Sequence, residues 1–401
     1  MAPNGPTPPR PSLRTPHPAI PSRRKVDMTQ AAQSPLEGPT SKAPDGKDPT
    51  TAGPAPDAPP AAPRRTDAAG ASARRTLDSA ELARATELLG AMTRAFERRV
   101  VGQDRLLTAL QVALMSGGHV LLESVPGLAK TLAASTLAST IDGSFSRIQC
   151  TPDLLPFDII GTQIYDARTG GFTTQLGPVH ANIVLLDEVN RSSAKTQSAM
   201  LEAMQERQTT IGDTSYPLPD PFMVLATQNP IEEEGTYVLP HAQMDRFLLK
   251  EVIDYPSADA ELEVLDRLDD GRLDAPSAPP VMTTDQVLEL QALTRRVYID
   301  ERLKRYIVEV VNVTRDAPHF LGSDIARYID YGSSPRGSLA FLEAAKAGAL
   351  LAGRDHVLPE DIKAMRHPVL RHRIVLTFEA IAEQVHPETI IDAVFDAVPT
   401  P

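Results

Sequence analysis

The sequence predicts an α/β fold in which helices cover both faces of a parallel sheet. An all-helical domain follows it and a disordered tail precedes it. Three observations carry this reading. Apolar runs such as Ile183-Val184-Leu185-Leu186 and Phe222-Met223-Val224-Leu225-Ala226 are continuous, as in strands covered on both faces. Between Asp78 and Tyr255 these runs are separated by segments with apolar residues at helical spacing. From residue 283 to 398 only helical patterns remain.

Composition sets the outer bounds. A chain of 401 residues implies two or three domains, and an apolar content of 41% suffices for a packed core. The single cysteine, Cys150, allows no internal disulfide, and no Cys/His set has metal-ligand spacing. No apolar run reaches the length of a membrane span, and the basic amino terminus is not followed by the apolar stretch of a secretory signal. A cytoplasmic protein is expected. Residues 1–75 hold nearly half of the 37 prolines and no Phe, Tyr or Trp. Such a segment cannot bury enough apolar area to offset its ordering entropy. It carries 11 Lys+Arg against 6 Asp+Glu, or +5, which leaves 29 against 46, or −17, for the rest. The expected organisation is a tail over 1–75, an αβα domain over 76–270, a linker over 271–282 and a helical domain over 283–401.

The elements follow in order. Helices are predicted from Asp78 to Arg98 and from Asp104 to Ser116, with Gly117-Gly118 ending the second. His119-Val120-Leu121-Leu122 reads as a buried strand and Thr131 to Thr140 as a helix. Between them lies Ser124-Val125-Pro126-Gly127-Leu128-Ala129-Lys130-Thr131, with Leu132 just beyond. Strand, tight loop, Lys-Thr and helix form the P-loop arrangement. Its backbone N–H groups face a polyphosphate, its lysine reaches the outer phosphates, and its Thr hydroxyl reaches Mg²⁺. Only Gly127 of this stretch is glycine, and Ser124 and Ala129 hold positions where the strict pattern has Gly. Read alone, the stretch also fits a plain strand-to-helix turn with an exposed lysine.

A strand at Phe145–Cys150 comes next, then a short helix and a hairpin within 151–180. The Ile183 run ends in Asp187-Glu188. Carboxylates at a buried strand's end beside a P-loop suit a metal-shell ligand, Asp187, and a general base, Glu188. Solvated loop carboxylates are the plainer alternative. Asn229, after the Phe222 strand, can bond a terminal phosphate and the attacking water, or serve the turn alone. Arg246 precedes the strand at Leu248–Ile253. It is expected either as a charge offered to a neighbouring subunit or in a contact with Asp245 or a helix carboxyl end. Among the later helices, Arg336 heads one predicted over Gly337–Ala352. It is placed either to reach back to a nucleotide or to act as a solvated cap residue.

Taken in order, Val101-Gly102-Gln103, the P-loop, Thr151-Pro152-Asp153-Leu154-Leu155-Pro156, Leu186-Asp187-Glu188-Val189-Asn190-Arg191, Ala226-Thr227-Gln228-Asn229-Pro230, Gln243-Met244-Asp245-Arg246-Phe247 and Gly332-Ser333-Ser334-Pro335-Arg336 resemble the MoxR group of AAA+ ATPases, in the helix-2-insert clade. The resemblance runs from about Asp78 to the end. It implies a P-loop AAA+ core followed by a helical lid, with ATP and Mg²⁺ as cofactors. Lys130 and Thr131 would be the Walker A residues, Asp187 and Glu188 Walker B, Asn229 sensor 1, Arg246 the arginine finger and Arg336 sensor 2. Gly102 and Gln103 would lie near the adenine. Residues 151–180 would form the insert hairpin facing the pore of a hexamer. Alanine before the lysine is usual in this group, whereas Ser124 departs from it, because serine reaches positive φ only at a cost. The implied activity is ATP hydrolysis that remodels a protein client, often one with a von Willebrand factor A domain, and sometimes aids metal or cofactor insertion.

Two rival functions fit parts of the pattern. A nucleic-acid motor such as a helicase wants a basic groove with stacking rings. The −17 charge beyond the tail argues against it, so no nucleic-acid partner is expected. A nucleotide-gated scaffold without turnover has Ser124 as its support, and Glu188, Asn229 and Arg246 against it.

Overall fold

The computed structural model describes residues 77–125, 127–230, 237–272 and 279–401. The expected tail, Pro126 and part of the expected linker lie outside the described residues. Five strands form the central sheet: β1 (Val120–Glu123), β2 (Phe145–Gln149), β3 (Ile183–Asp187), β4 (Met223–Gln228) and β5 (Leu249–Val252). Their order across the sheet is β5-β1-β4-β3-β2, and every pairing is parallel. All carboxyl ends therefore share one edge, where the loops after β1, β3 and β4 meet.

The continuous apolar runs have the expected cause. Val120 and Leu122, Ile183 and Leu185, and Met223 and Leu225 enter one core. Their alternates Leu121, Val184, Leu186, Val224 and Ala226 enter a second core on the other face. One of the covering helices, Ser79–Glu97, starts with a capping box in which Asp78 and Glu81 bond each other's backbone N–H. The first core continues into the carboxyl-terminal helices through Val287, Leu290, Phe341, Ala344 and Val394. The proposed division at 271–282 is thus one of topology, since apolar contacts run across it.

The region after residue 283 is mainly helical, with one short antiparallel ladder, Ile329–Tyr331 with Val375–Leu376, and a parallel bridge between Tyr298 and His356. β-branched and aromatic residues supply that ladder. Within the insert, the helix Pro156–Ile160 leads into the hairpin Gly161–Asp166 and Gly171–Leu176. Gly161 (φ 111°) is required there, because a Cβ would lie 2.4 Å from the Gln175 carbonyl oxygen. Ile164, Tyr165, Phe172 and Leu176 are exposed on this hairpin, with Phe172 70% exposed. A second hairpin, Gln208–Ile211 with Thr214–Pro217, turns at Gly212-Asp213. The sequence reading names no hairpin here, although a Gly-Asp pair between extended runs is a hairpin signal.

Candidate active site

β1 delivers the chain to the carboxyl edge at Glu123, and the loop turns into the Lys130–Ser139 helix. The left-handed residues of the loop are Gly127 (φ 87°) and Ala129 (φ 54°). Ser124 is not among the residues with positive φ. The penalty expected at Ser124 therefore falls instead on Ala129, the residue just before the helix, where a Cβ costs about 1–2 kcal/mol. Ser124 is buried, donates its N–H to the Gln228 carbonyl (3.3 Å) and its hydroxyl to the Val125 carbonyl (3.0 Å). Leu128 is buried in the core, and Val125 and Leu132 pack against it. No side chain caps the helix, and its first turn holds no acid, so its N–H groups and positive dipole end face the loop.

The polar residues of this edge hold one another. Lys130 Nζ donates to the Ser124 carbonyl at 3.0 Å. Thr131 Oγ1 donates to Asp187 Oδ2 at 3.3 Å. Asp187 also accepts from Arg147 Nη2 (2.6 Å) and from Thr227 Oγ1 (2.8 Å). Burial alone would raise the Asp187 pKa, but hydrogen bonds from Arg147, Thr227 and Thr131 outweigh it and hold the carboxyl below its usual range. Glu188 sits in a left-handed conformation (φ 58°, ψ 53°), a strained backbone of the kind that collects at functional sites. Its N–H donates to Thr227 Oγ1 (2.8 Å), and its carboxylate accepts from Gln149 Nε2 and Arg191 Nη1, both at 3.0 Å. Asn229 is 4% exposed just past β4, and its carbonyl accepts from Asn190 Nδ2 at 3.4 Å.

Ser124, Lys130, Thr131, Asp187, Glu188 and Asn229 are thus gathered at one edge. Gly102 and Gln103 line a cavity of about 280 Å³ with Val252, Ile253 and Tyr255, at the end of β5 beside β1. A Cβ on Gly102 (φ 67°) would lie 2.7 Å from Ala260 Cβ, so only glycine fits. The donor set fits a polyphosphate with a divalent cation. Thr131 and Asp187 offer two adjacent hard oxygens, and phosphate oxygens and water can complete such a shell. Lys130 and the uncapped helix start are positive groups that can offset an anion's charge. Another cavity, of about 760 Å³, lies between the ends of the Ser79–Glu97 and Ala258–Asp269 helices, with Arg94, Arg98, Arg99, Arg267 and Arg272 in its wall. None of the motif residues line it.

Arg246 and Arg336 are elsewhere. Together they line a cavity of about 260 Å³ with Gly117, Gly118 and His119, the residues that lead into the amino end of β1. None of the P-loop residues line it. Arg336 therefore does not reach back over its own P-loop, because the helix it heads is anchored at this opposite edge by Ser334 bonding Asp245 (2.6 Å). The expected alternative for Arg246, a salt bridge to Asp245, is not formed. That carboxylate is engaged by Arg373 (2.9 Å) and Ser334. Among the described residues, Arg246 Nε is buried without a hydrogen-bond partner.

Sequence reading missed Arg147, Gln149, Thr227 and Arg191, which shape the two carboxylates. A signal existed for the first two. Arg147 and Gln149 alternate on β2, and Gln149 pairs in register with Asp187.

Residues 119–249 match the family described as ATPase family associated with various cellular activities (AAA), and residues 322–394 match the AAA lid domain. The chain is 48% identical over 305 residues to Chaperone MoxR1 of Mycobacterium tuberculosis, covering 76% of this chain and 80% of that one. It is 44% identical to the uncharacterized protein YeaC of Bacillus subtilis (78% and 95% covered) and 30% identical to Protein MoxR of Methylorubrum extorquens (77% and 94%). A crystal structure from Cytophaga hutchinsonii, of a protein proposed to be an ATPase, superposes with a TM-score of 0.75 at 45% identity, covering 80% of this chain and 97% of that one.

Proposed function

The chain belongs to the MoxR-type AAA+ ATPases, and from that premise we propose that it hydrolyses ATP in a ring, as a homo-hexamer, to remodel a protein client. One observation carries the ring. The nucleotide-binding groups lie at the carboxyl edge of the sheet, while Arg246 and Arg336 lie at the amino edge with Arg246 Nε unpartnered among the described residues. Two half-sites on opposite edges of one subunit are completed when a neighbour's amino edge meets this subunit's carboxyl edge. Both arginines then act on the neighbour's nucleotide.

When bound, Mg²⁺–ATP supplies the phosphoryl group and the metal's charge. Lys130 and the helix N–H groups bind the phosphates, and Thr131 and Asp187 hold the metal. Glu188 takes the proton of the attacking water once its carboxylate leaves Gln149 and Arg191. Asn229 orients that water. Arg246 and Arg336 of a neighbour offset the charge that develops on the transferred group. Gly102 and Gln103 face the base. The exposed hairpin Gly161–Leu176 is the surface for the client at the pore, and a von Willebrand factor A domain is the client class we favour. We propose a cytoplasmic setting. Among the described residues, no helix is long and apolar enough to cross a membrane.

Steady-state phosphate release tests the reading, with Glu188→Gln alongside. Turnover by the parent that is lost in Glu188→Gln while ATP still binds supports it. Binding without turnover in the parent would favour the gated scaffold, and stimulation by DNA would favour the nucleic-acid motor.

A further inference from the structure

Asp245 stands between the two arginines of the amino edge, and its carboxylate is shared between two parts of the chain. Oδ1 accepts from Arg373 Nε at 2.9 Å. Oδ2 accepts from Ser334 Oγ at 2.6 Å. The same Ser334 oxygen caps the helix that begins at Pro335 by accepting the Arg336 N–H at 3.1 Å. The Arg373 side chain is 2% exposed and spends most of its remaining donors on carbonyls that flank Arg246. It donates to Asp245 (3.3 Å), Phe247 (2.7 Å) and Leu248 (3.0 Å), as well as to Val369 (2.6 Å). His372 adds a bond to the Phe247 carbonyl (3.1 Å), and Arg371 adds one to the Lys250 carbonyl (2.8 Å).

Three consecutive side chains, Arg371, His372 and Arg373, thus grip the backbone from Asp245 to Lys250. Burial pushes the Arg373 guanidinium down to about 10, against the opposing pull of Asp245, so it stays charged at neutral pH. A charged group this deep is costly unless every donor is met, and here four of the five bonds fix the segment that carries Arg246, the fifth going to Val369.

We propose that Asp245, held by Arg373 and Ser334, is a positioning residue that locks Arg246 and Arg336 into one rigid unit presented to a neighbouring subunit. Arg246 is the next residue after Asp245. Arg336 sits two residues after Ser334, on the first turn of the helix that Ser334 caps. A shift of either guanidinium relative to the other changes the distance between two charges that must meet one phosphate chain. Misplacement by about 1 Å at such a site can cost on the order of 10²-fold in rate. The link also makes the lid helix move with the strand β5 of its own subunit, so a change in the lid is passed to the arginine that precedes β5. This inference rests on the two-edge reading proposed above.

The test uses full-length variants and three readouts: ATP affinity, turnover, and turnover of mixed assemblies whose mixing is verified by subunit exchange. Asp245→Asn weakens the charge-assisted bond to Arg373 and can destabilise the fold, so Ser334→Gly is the second variant. Glycine is tolerated at a helix N-cap nearly as well as serine, and this change removes the tie to Asp245. We expect Ser334→Gly to bind ATP within about twofold of the parent and to lose about tenfold or more in turnover. Ser334→Thr, which keeps a hydroxyl and a cap, should restore turnover. Mixed with Lys130→Ala, Ser334→Gly should regain activity, because its intact P-loop can meet an intact amino edge. Mixed with Arg246→Ala it should not, since both lesions lie on that edge. Parent-like turnover in Ser334→Gly overturns the proposal, as does recovery with Arg246→Ala but not with Lys130→Ala. If Arg246→Ala and Lys130→Ala fail to restore each other in verified mixtures, the two-edge reading itself falls, and this inference falls with it.

Discussion

The two edges of the sheet solve opposite problems. At the carboxyl edge the charged side chains are each engaged: Lys130 by the Ser124 carbonyl, Asp187 by Thr131, Arg147 and Thr227, and Glu188 by Gln149 and Arg191. At the amino edge the scaffold is over-determined while Arg246 Nε is left without a partner among the described residues. A buried unsatisfied guanidinium nitrogen costs free energy, so its retention calls for a reason of its own. The difference is that the charged groups of one edge are engaged within the subunit, whereas the other edge leaves a guanidinium nitrogen unmatched; under the proposed function the first exchanges its bonds for those of a nucleotide and the second meets a neighbour.

The largest expected effect breaks the first edge. Lys130→Ala should abolish ATP binding, because the loop loses its mobile cation at the phosphates. An unchanged affinity by calorimetry would remove the P-loop assignment. Glu188→Gln should bind ATP and turn over at a small fraction of the parent rate, since it keeps shape but not basicity. Arg246→Ala separates the edges. It should bind ATP normally and lose roughly 10³-fold or more in turnover, the scale of an arginine finger. Activity should return in part when it is mixed with Lys130→Ala. Full activity of Arg246→Ala alone would contradict the role.

A pH experiment sharpens the comparison at the amino edge. Val224 N–H donates to His119 Nδ1 (3.0 Å), so the neutral ring carries its proton on Nε2, which faces the Met204 carbonyl (3.4 Å). Burial, aided by the charge of Arg207, pushes the His119 pKa down to about 4. The unfolded chain then binds more protons than the folded one between about pH 6.5 and 4, so stability falls as pH falls through that window. Melting temperature should drop across it and change less steeply in His119→Gln. A pH-independent difference between the two proteins would refute the burial argument.

The smallest effect concerns the loop glycines that the sequence lacks. Ala129→Gly relieves left-handed strain of about 1–2 kcal/mol and adds about 0.5–1 kcal/mol of chain entropy, so a small net stabilisation is expected. Ser124→Gly relieves no such strain and loses a hydroxyl bond to Val125, so it should be neutral or slightly destabilising by thermal melting.

Much of the carboxyl edge was legible because it is local. A P-loop is one strand, one turn and one helix, and Asp187-Glu188 and Asn229 each follow an apolar run whose both-faces burial is written in its composition. Parallel strands then bring their ends to one edge without further information. The exposed insert hairpin was legible for the same reason. What the sequence determined by itself is therefore the fold class and the identity of residues next to strand ends. It did not determine which of those residues bond each other. Arg147 meets Asp187 through the β2–β3 pairing across 40 positions, and the strain expected at Ser124 lies at Ala129 because backbone torsion depends on where the helix starts. Nor did it place Arg336, whose position is decided by Arg373 and Ser334 meeting at Asp245, contacts 128 and 89 residues apart. Long-range polar contacts of this kind leave no periodicity in a sequence. Only the tertiary structure decides them, because their geometry exists only after the sheet and the helices behind it have packed.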